Sequence, residues 1–268
     1  MDMKLGMICY QDFQKLDMKT LEGIREKGLS FAEFCVNVDI EPDTFIAKEN
    51  LLLQAKRDFG LLTGSIGRWG SIRLNENAEI NEVEFQNDCR LIDLASRLET
   101  PVFVAGCNYI KEKSAYENLI GAISYFERLL DHAKGSGVKI AVCNCDWNNF
   151  LCEDPMREIV LEHLSDLYVK FDPSHSYYAG RDYLSEIKKW GTRIAHMHVK
   201  GGLIIDGTRF DDPPAGLDQL DWNCIFATLY AIGYGGNLSI EPHSEVWKDK
   251  LGEKGLDYSI RYLQNFLL

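Results

Sequence analysis

Eight short apolar runs, each separated from the next by a longer and more polar stretch, constrain this 268-residue chain more than any other feature. The runs are 4–10, 29–36, 60–66, 101–105, 139–143, 167–171, 194–199 and 237–241. They are mostly apolar without strict alternation, which is the pattern of parallel strands covered on both faces. The stretches between them read as amphipathic helices. In 81–98, Val83, Leu91, Ile92, Leu94, Ala95 and Leu98 fall near one face; 116–133 and 256–267 read the same way. Gly28, Gly135 and Gly233 stand at expected helix ends, just before the next run. Strand then helix, repeated eight times with right-handed crossovers, leaves a doubly wound sheet or a closed barrel. Eight units in 268 residues favour an α/β fold with one (β/α)8 barrel over residues 1–268 and no second domain.

Charge and composition remove several function classes. The formal net charge is −12, and no basic stripe is present to neutralise phosphates, so nucleic acid is not an expected partner. No apolar run reaches the roughly 18 residues that would span a membrane. The first residues run straight into the run at 4–10, without signal-peptide architecture. Eight cysteines, none in a CxxC pair and most inside apolar runs, are expected as buried, reduced thiols of a cytoplasmic protein.

A barrel of this kind gathers its chemistry at the C-terminal ends of its strands. There the sequence places Phe171-Asp172-Pro173-Ser174-His175 on strand six, His196-Met197-His198-Val199-Lys200 on strand seven and Ser239-Ile240-Glu241-Pro242-His243 on strand eight. Four of the six histidines fall in these three segments. Asp172, His198 and Glu241 form a mixed oxygen and nitrogen set, suited to one divalent ion of the Mn²⁺, Mg²⁺, Co²⁺ or Zn²⁺ group. Asp172, standing before Pro173, also suits a helix cap. His196 and His198 are two apart on a strand and share a side, so one of them is expected as a hydrogen-bonded interior histidine. An unpaired Glu241 at the end of an apolar strand would be costly, and a metal or Arg209 would relieve it.

These segments resemble the xylose-isomerase-like sugar phosphate isomerase/epimerase superfamily, which also contains endonuclease IV. The resemblance runs over nearly the whole chain and is strongest from Lys139 onward. It rests on Phe171-Asp-Pro-Ser-His175, on His198-Val-Lys200, on Pro213-Pro-Ala-Gly216 through Leu220-Asp-Trp222, and on Gly233-Tyr-Gly-Gly236 through Leu238-Ser-Ile-Glu-Pro-His243. It implies a metal held by a strand-five carboxylate together with Asp172, His198 and Glu241, and a sugar contact from His175. The chain departs from the pattern on strand five. Cys143 stands where the family has glutamate, in Ile140-Ala141-Val142-Cys143-Asn144-Cys145-Asp146-Trp147. Asn144 could supply a carbonyl ligand, Asp146 could swing in, and a Cys143 thiolate would favour a softer metal such as Zn²⁺.

The expected activity is a metal-dependent isomerisation or epimerisation of a small sugar or polyol-derived substrate. Glu241 would be the base, and His175 would act beside it on a substrate oxygen. Arg209 would anchor a carboxylate or hydroxyl, and Glu33, Trp69, Asn108, Trp147 and His243 are further substrate contacts to test. An inosose-type dehydratase on the same site and a sugar-binding barrel without turnover are the competing readings. The endonuclease-like reading needs more histidines and carboxylates, and the acidic charge opposes it. The segment 200–219 is expected as a loop over the mouth, carrying Arg209 to the site. Self-association as a homo-oligomer is compatible with the sequence.

Overall fold

The computed structural model describes residues 2–10 and 12–268. Eight parallel strands close a barrel: β1 (Lys4–Ile8), β2 (Phe31–Cys35), β3 (Leu62–Gly67), β4 (Val102–Ala105), β5 (Lys139–Cys143), β6 (Tyr168–Phe171), β7 (Ile194–Val199) and, after an antiparallel pair β8 (Leu203–Ile205) and β9 (Thr208–Asp211), β10 (Asn237–Ile240). β10 closes the ring between β7 and β1. All eight expected strands are present.

The helices follow the local signals. The outer layer is α1 (Met18–Glu26), α2 (Pro42–Ile46), α3 (Glu49–Phe59), α4 (Glu82–Arg97), α5 (Ala115–Ala133), α6 (Met156–His163), α7 (Pro173–Tyr178), α8 (Tyr183–Trp190), α9 (Trp222–Ala231) and α10 (Asp249–Gln264). α5 opens on a capping box of Ser114 and Glu117, which satisfies amide donors that a helix start leaves free. Gly28, Gly135 and Gly233 take positive φ of 82°, 79° and 74°, a backbone conformation that L side chains resist. Two sequence expectations shift. Val83 turns outward and is 70% exposed, and the last helix occupies Asp249–Gln264 rather than 256–267.

Apolar residues between helices and strands form the larger core. A smaller cluster of Trp69, Val102, Val104, Ala141, Cys143 and Ala195 packs separately from it. The ring of Phe31 lies against Gly6 of β1 and Gly64 of β3; a methyl group at either glycine would enter that ring. The register of β2 against β3 shifts between Ala32 and Glu33, and that of β6 against β7 shifts between Val169 and Lys170. Such irregularities re-aim side chains near functional sites. Here they fall at two buried charged residues, Glu33 and Lys170.

The segment 200–219 is more ordered than its sequence suggested. It contains the β8–β9 hairpin, whose turn residues Asp206 and Gly207 both have positive φ, at 51° and 75°. That is the turn an Asp-Gly pair favours. No helix among the described residues is long and apolar enough to cross a membrane. None of the eight cysteines forms a disulfide.

Candidate active site at the barrel mouth

His196, His198 and Lys200 follow one another at period two along β7 and its end, so their side chains share one side of the strand. His196 is the deeper histidine and has no solvent exposure. Its Nε2 lies 2.8 Å from Glu33 Oε2. Burial lowers the pKa of His196 despite that carboxylate. The ring is therefore neutral, with Nε2–H donated to Glu33 and Nδ1 left without a partner. His198 places Nε2 2.9 Å from Glu33 Oε1 and Nδ1 2.9 Å from Glu241 Oε2. Burial opposes its charge, but Glu33 and then Glu241 outweigh burial and raise its pKa. An imidazolium donating to both carboxylates accounts for the geometry.

Glu241 follows β10 and is fully engaged. It accepts from the Tyr10 hydroxyl at 3.0 Å and from His198, and Lys200 Nζ stands 3.5 Å away. Burial would raise its pKa; Lys200 and His198 overcome burial and hold it well below the usual carboxylate range. Burial acts the same way on Glu33, where His198 and His196 prevail.

Asp172 has two jobs. Oδ1 caps α7, accepting the Ser174 amide at 2.9 Å and its hydroxyl at 2.7 Å. Oδ2 is buried and makes no hydrogen bond, although Lys200 Nζ pairs with it ionically at 3.1 Å. The ammonium thus supplies charge without a well-directed hydrogen bond. Lys200 Nζ also donates to His175 Nε2 at 3.2 Å. Burial would lower the Lys200 pKa, yet Asp172 and Glu241 raise it above its ordinary value. Burial drives His175 down to about 4, so its ring is neutral at physiological pH.

Donor atoms of Asp172, His198 and Glu241 lie within 4.8 Å of one another, so the three residues expected from the sequence do converge. They adjoin a cavity of about 520 Å³ that Tyr10, Trp69, Trp147, Lys170, His175 and Arg209 help to line. His243 lines it too, with its Nδ1 held 2.8 Å from Asp212 Oδ2.

Other expected site residues are placed differently. Glu33 has no solvent exposure and does not line the cavity; it lies behind His198. Asn108 is spent on backbone, accepting the amides of Arg73 and Leu74 and donating to Leu74. Asn144 clasps the backbone of Asp172 through two 2.8 Å hydrogen bonds, leaving its amide committed. Cys143 is wholly buried in the smaller apolar cluster, and burial raises its thiol pKa. It belongs to none of the metal-competent clusters among the described residues. Arg209 pairs with Asp212 rather than Glu241. Lys200, Lys170 and Tyr10 were not singled out in the sequence. Lys200 was signalled by the period-two run from His196; Tyr10, at the end of the first run, carried no comparable signal.

Fold and site together define a (β/α)8 barrel protein with a mixed carboxylate and imidazole cluster at the strand ends. The chain belongs to the xylose isomerase-like TIM barrel family, whose model matches residues 22–266. Among solved structures it is similar to the 3-keto-D-glucoside 4-epimerase of E. coli, with 15% identity over 98% of this chain and 100% of that one and a TM-score of 0.75. A D-tagatose 3-epimerase-like protein is 20% identical over 98% of each chain, also at a TM-score of 0.75. The D-psicose 3-epimerase of Clostridium cellulolyticum H10 is 17% identical over 98% of this chain and 97% of that one, at 0.74. At these identities the likeness is one of fold. No curated protein matches the chain.

Proposed function

We propose that this protein is a metal-dependent isomerase or epimerase of a small sugar or polyol-derived substrate, working by proton abstraction beside a carbonyl. The observation that carries the reading is the convergence of Asp172, His198 and Glu241 around a buried Asp172 oxygen that no hydrogen bond satisfies. A divalent ion fits these donors, and the Lys200 ammonium already brings positive charge beside two of them. The named activities of the similar structures, all sugar epimerases or epimerase-like, agree with it.

Asp172, His198 and Glu241 would hold the ion, and His198 would give up its Nδ1 proton in doing so. When bound, the ion supplies Lewis acidity that lowers the cost of negative charge on substrate oxygens. The chain's own groups do the rest. Glu241 is ionised and can take a proton from the carbon next to the carbonyl. The Tyr10 hydroxyl orients it through Oε1. Glu33 keeps the His198 ring in place through Nε2. Lys200 and Lys170 bring positive charge to the cavity as the substrate becomes electron-rich. The neutral His175 ring offers a hydrogen-bonding nitrogen to a hydroxyl, and Trp69 and Trp147 offer rings for the apolar face of a sugar.

Strand five bears on the outcome. With Cys143 buried and uncharged, Glu241 alone can move a proton between neighbouring carbons on one substrate face, which is isomerisation. Inversion needs a second protic group, for which His175 and Lys170 line the cavity. Metal analysis of untreated protein, followed by a screen of ketoses and inososes with that metal, tests the reading. Bound divalent metal together with ketose turnover that depends on it supports the reading. Water loss from an inosose would make the protein a lyase, and absence of both metal affinity and turnover would make it a binding barrel.

A further inference from the structure

Beyond the Asp172 cluster, the loop after β5 brings a second set of donors to the same cavity. Cys145, Asp146 and His175 each offer a ligand atom, and the three lie within 4.8 Å of one another. All three line the cavity. Tetrahedral ligands at zinc distances stand about 3.5 Å apart, so a small movement of the exposed Asp146 carboxylate would close the set.

The loop is held for this arrangement. Asn144 fastens it to the Asp172 backbone. Asn149 Nδ2 donates to the carbonyls of Cys143 and Cys145, each at 2.9 Å. From the other side, Asp172 caps the short helix that carries His175. Sulfur and imidazole donors are therefore fixed relative to each other through Asp172. Among the described residues Asp146 makes no ion pair, so its carboxylate is uncommitted. His175 Nε2 accepts from the Lys200 ammonium at 3.2 Å, so its lone pair points at a positive charge that a bound ion would replace.

We propose that Cys145, Asp146 and His175 form a second metal site, for a thiophilic divalent ion such as Zn²⁺ or Co²⁺, with its open positions facing the cavity. One sulfur, one nitrogen and one oxygen select the zinc class over Mg²⁺ or Mn²⁺. Three protein ligands leave room for water or a substrate oxygen, as in zinc sites that do chemistry. Burial and then Cys143 push the Cys145 thiol up to about 12. Binding therefore exchanges its proton for the metal: the S–H bond breaks, the S–metal bond forms and the proton leaves to solvent.

The site shares His175 with the proposed isomerase reading, but only this site contains sulfur, so a sulfur signal reports it alone. Co²⁺ titration of the full chain, followed by absorption, separates the two. The expected result is a near-ultraviolet sulfur-to-cobalt charge-transfer band that saturates as the sulfur site fills, while Co²⁺ taken by the Asp172 cluster adds none. Cys145→Ser should abolish it; Cys143→Ser and Glu241→Gln should retain it. Asp146→Asn and His175→Gln should each weaken the binding that produces it by about tenfold or more. Circular dichroism on each variant confirms folding. A wild-type protein without the band overturns the site, and so does a band that survives in folded Cys145→Ser protein.

Discussion

Glu33 Oε1 lies 2.9 Å from His198 Nε2, so a carboxylate with no solvent exposure fixes one nitrogen of the histidine whose other nitrogen faces Glu241. A ring held this way presents one nitrogen to the cavity in a set orientation, the arrangement by which a carboxylate behind a histidine ligand tunes metal affinity.

Removing that carboxylate's charge should therefore loosen metal binding without emptying the cavity. Glu33→Gln is expected to weaken Mn²⁺ binding about 10–100-fold. Glu33→Ala should also lower stability by about 1–3 kcal/mol, because two buried histidines lose their acceptor. Calorimetric titration and denaturant unfolding check the two effects. Unchanged Mn²⁺ affinity in Glu33→Gln would count against a ligand role for His198.

Glu241→Gln keeps the shape and loses the base. Turnover should fall by about 10²–10⁴-fold, the span that a positioned acid or base contributes. Tyr10→Phe removes only an orienting hydroxyl and should cost much less. Steady-state kinetics on the substrate found in the ketose screen distinguishes them. Full activity in Glu241→Gln would remove Glu241 as the base.

The β8–β9 hairpin is fastened through Asp212. It accepts from Arg209, contacts His243 at 2.8 Å, and lies 2.5 Å from the Tyr178 hydroxyl. Burial would raise the Asp212 pKa, but His243, Arg209 and Tyr178 bring it from 3.8 down to about 2. The bound proton is disfavoured in the docked state, so this fastening is complete above pH 3.8 and is lost as the pH falls through about 2. Asp212→Asn should mimic that loss at neutral pH. Hydrogen exchange at the Leu203 amide should quicken and KM should rise, with little change in melting temperature, because a surface hairpin adds few buried contacts. An equal loss of stability and turnover would argue against a covering role.

The barrel was legible because its signals are local and repeated: apolar runs, glycine helix ends and polar residues at run ends all agree. The three residues Asp172, His198 and Glu241 were legible for the same reason, since each ends a strand. What surrounds them depends on long-range register. Glu33 and His196 are 163 residues apart, and nothing near Glu33 in the chain says that it would lie behind two histidines instead of facing substrate. Arg209 was assigned to Glu241 on charge alone; the hairpin turn at Asp206-Gly207 instead brings it to Asp212. Asn144 looked like a spare ligand in the sequence, and only the approach of β5 to the Asp172 backbone shows where its amide is spent.

The central claim is that Glu241 removes a proton from a carbon beside a sugar carbonyl while a divalent ion is held at the mouth. Incubating the Mn²⁺-loaded protein with a panel of ketoses and inososes in D₂O, and reading the carbon-bound protons by NMR, tests it most directly. The account predicts deuterium at the carbon next to the carbonyl of at least one substrate, dependent on the metal and lost in Glu241→Gln. Metal-saturated wild-type protein that leaves every compound unexchanged and unconverted would contradict it.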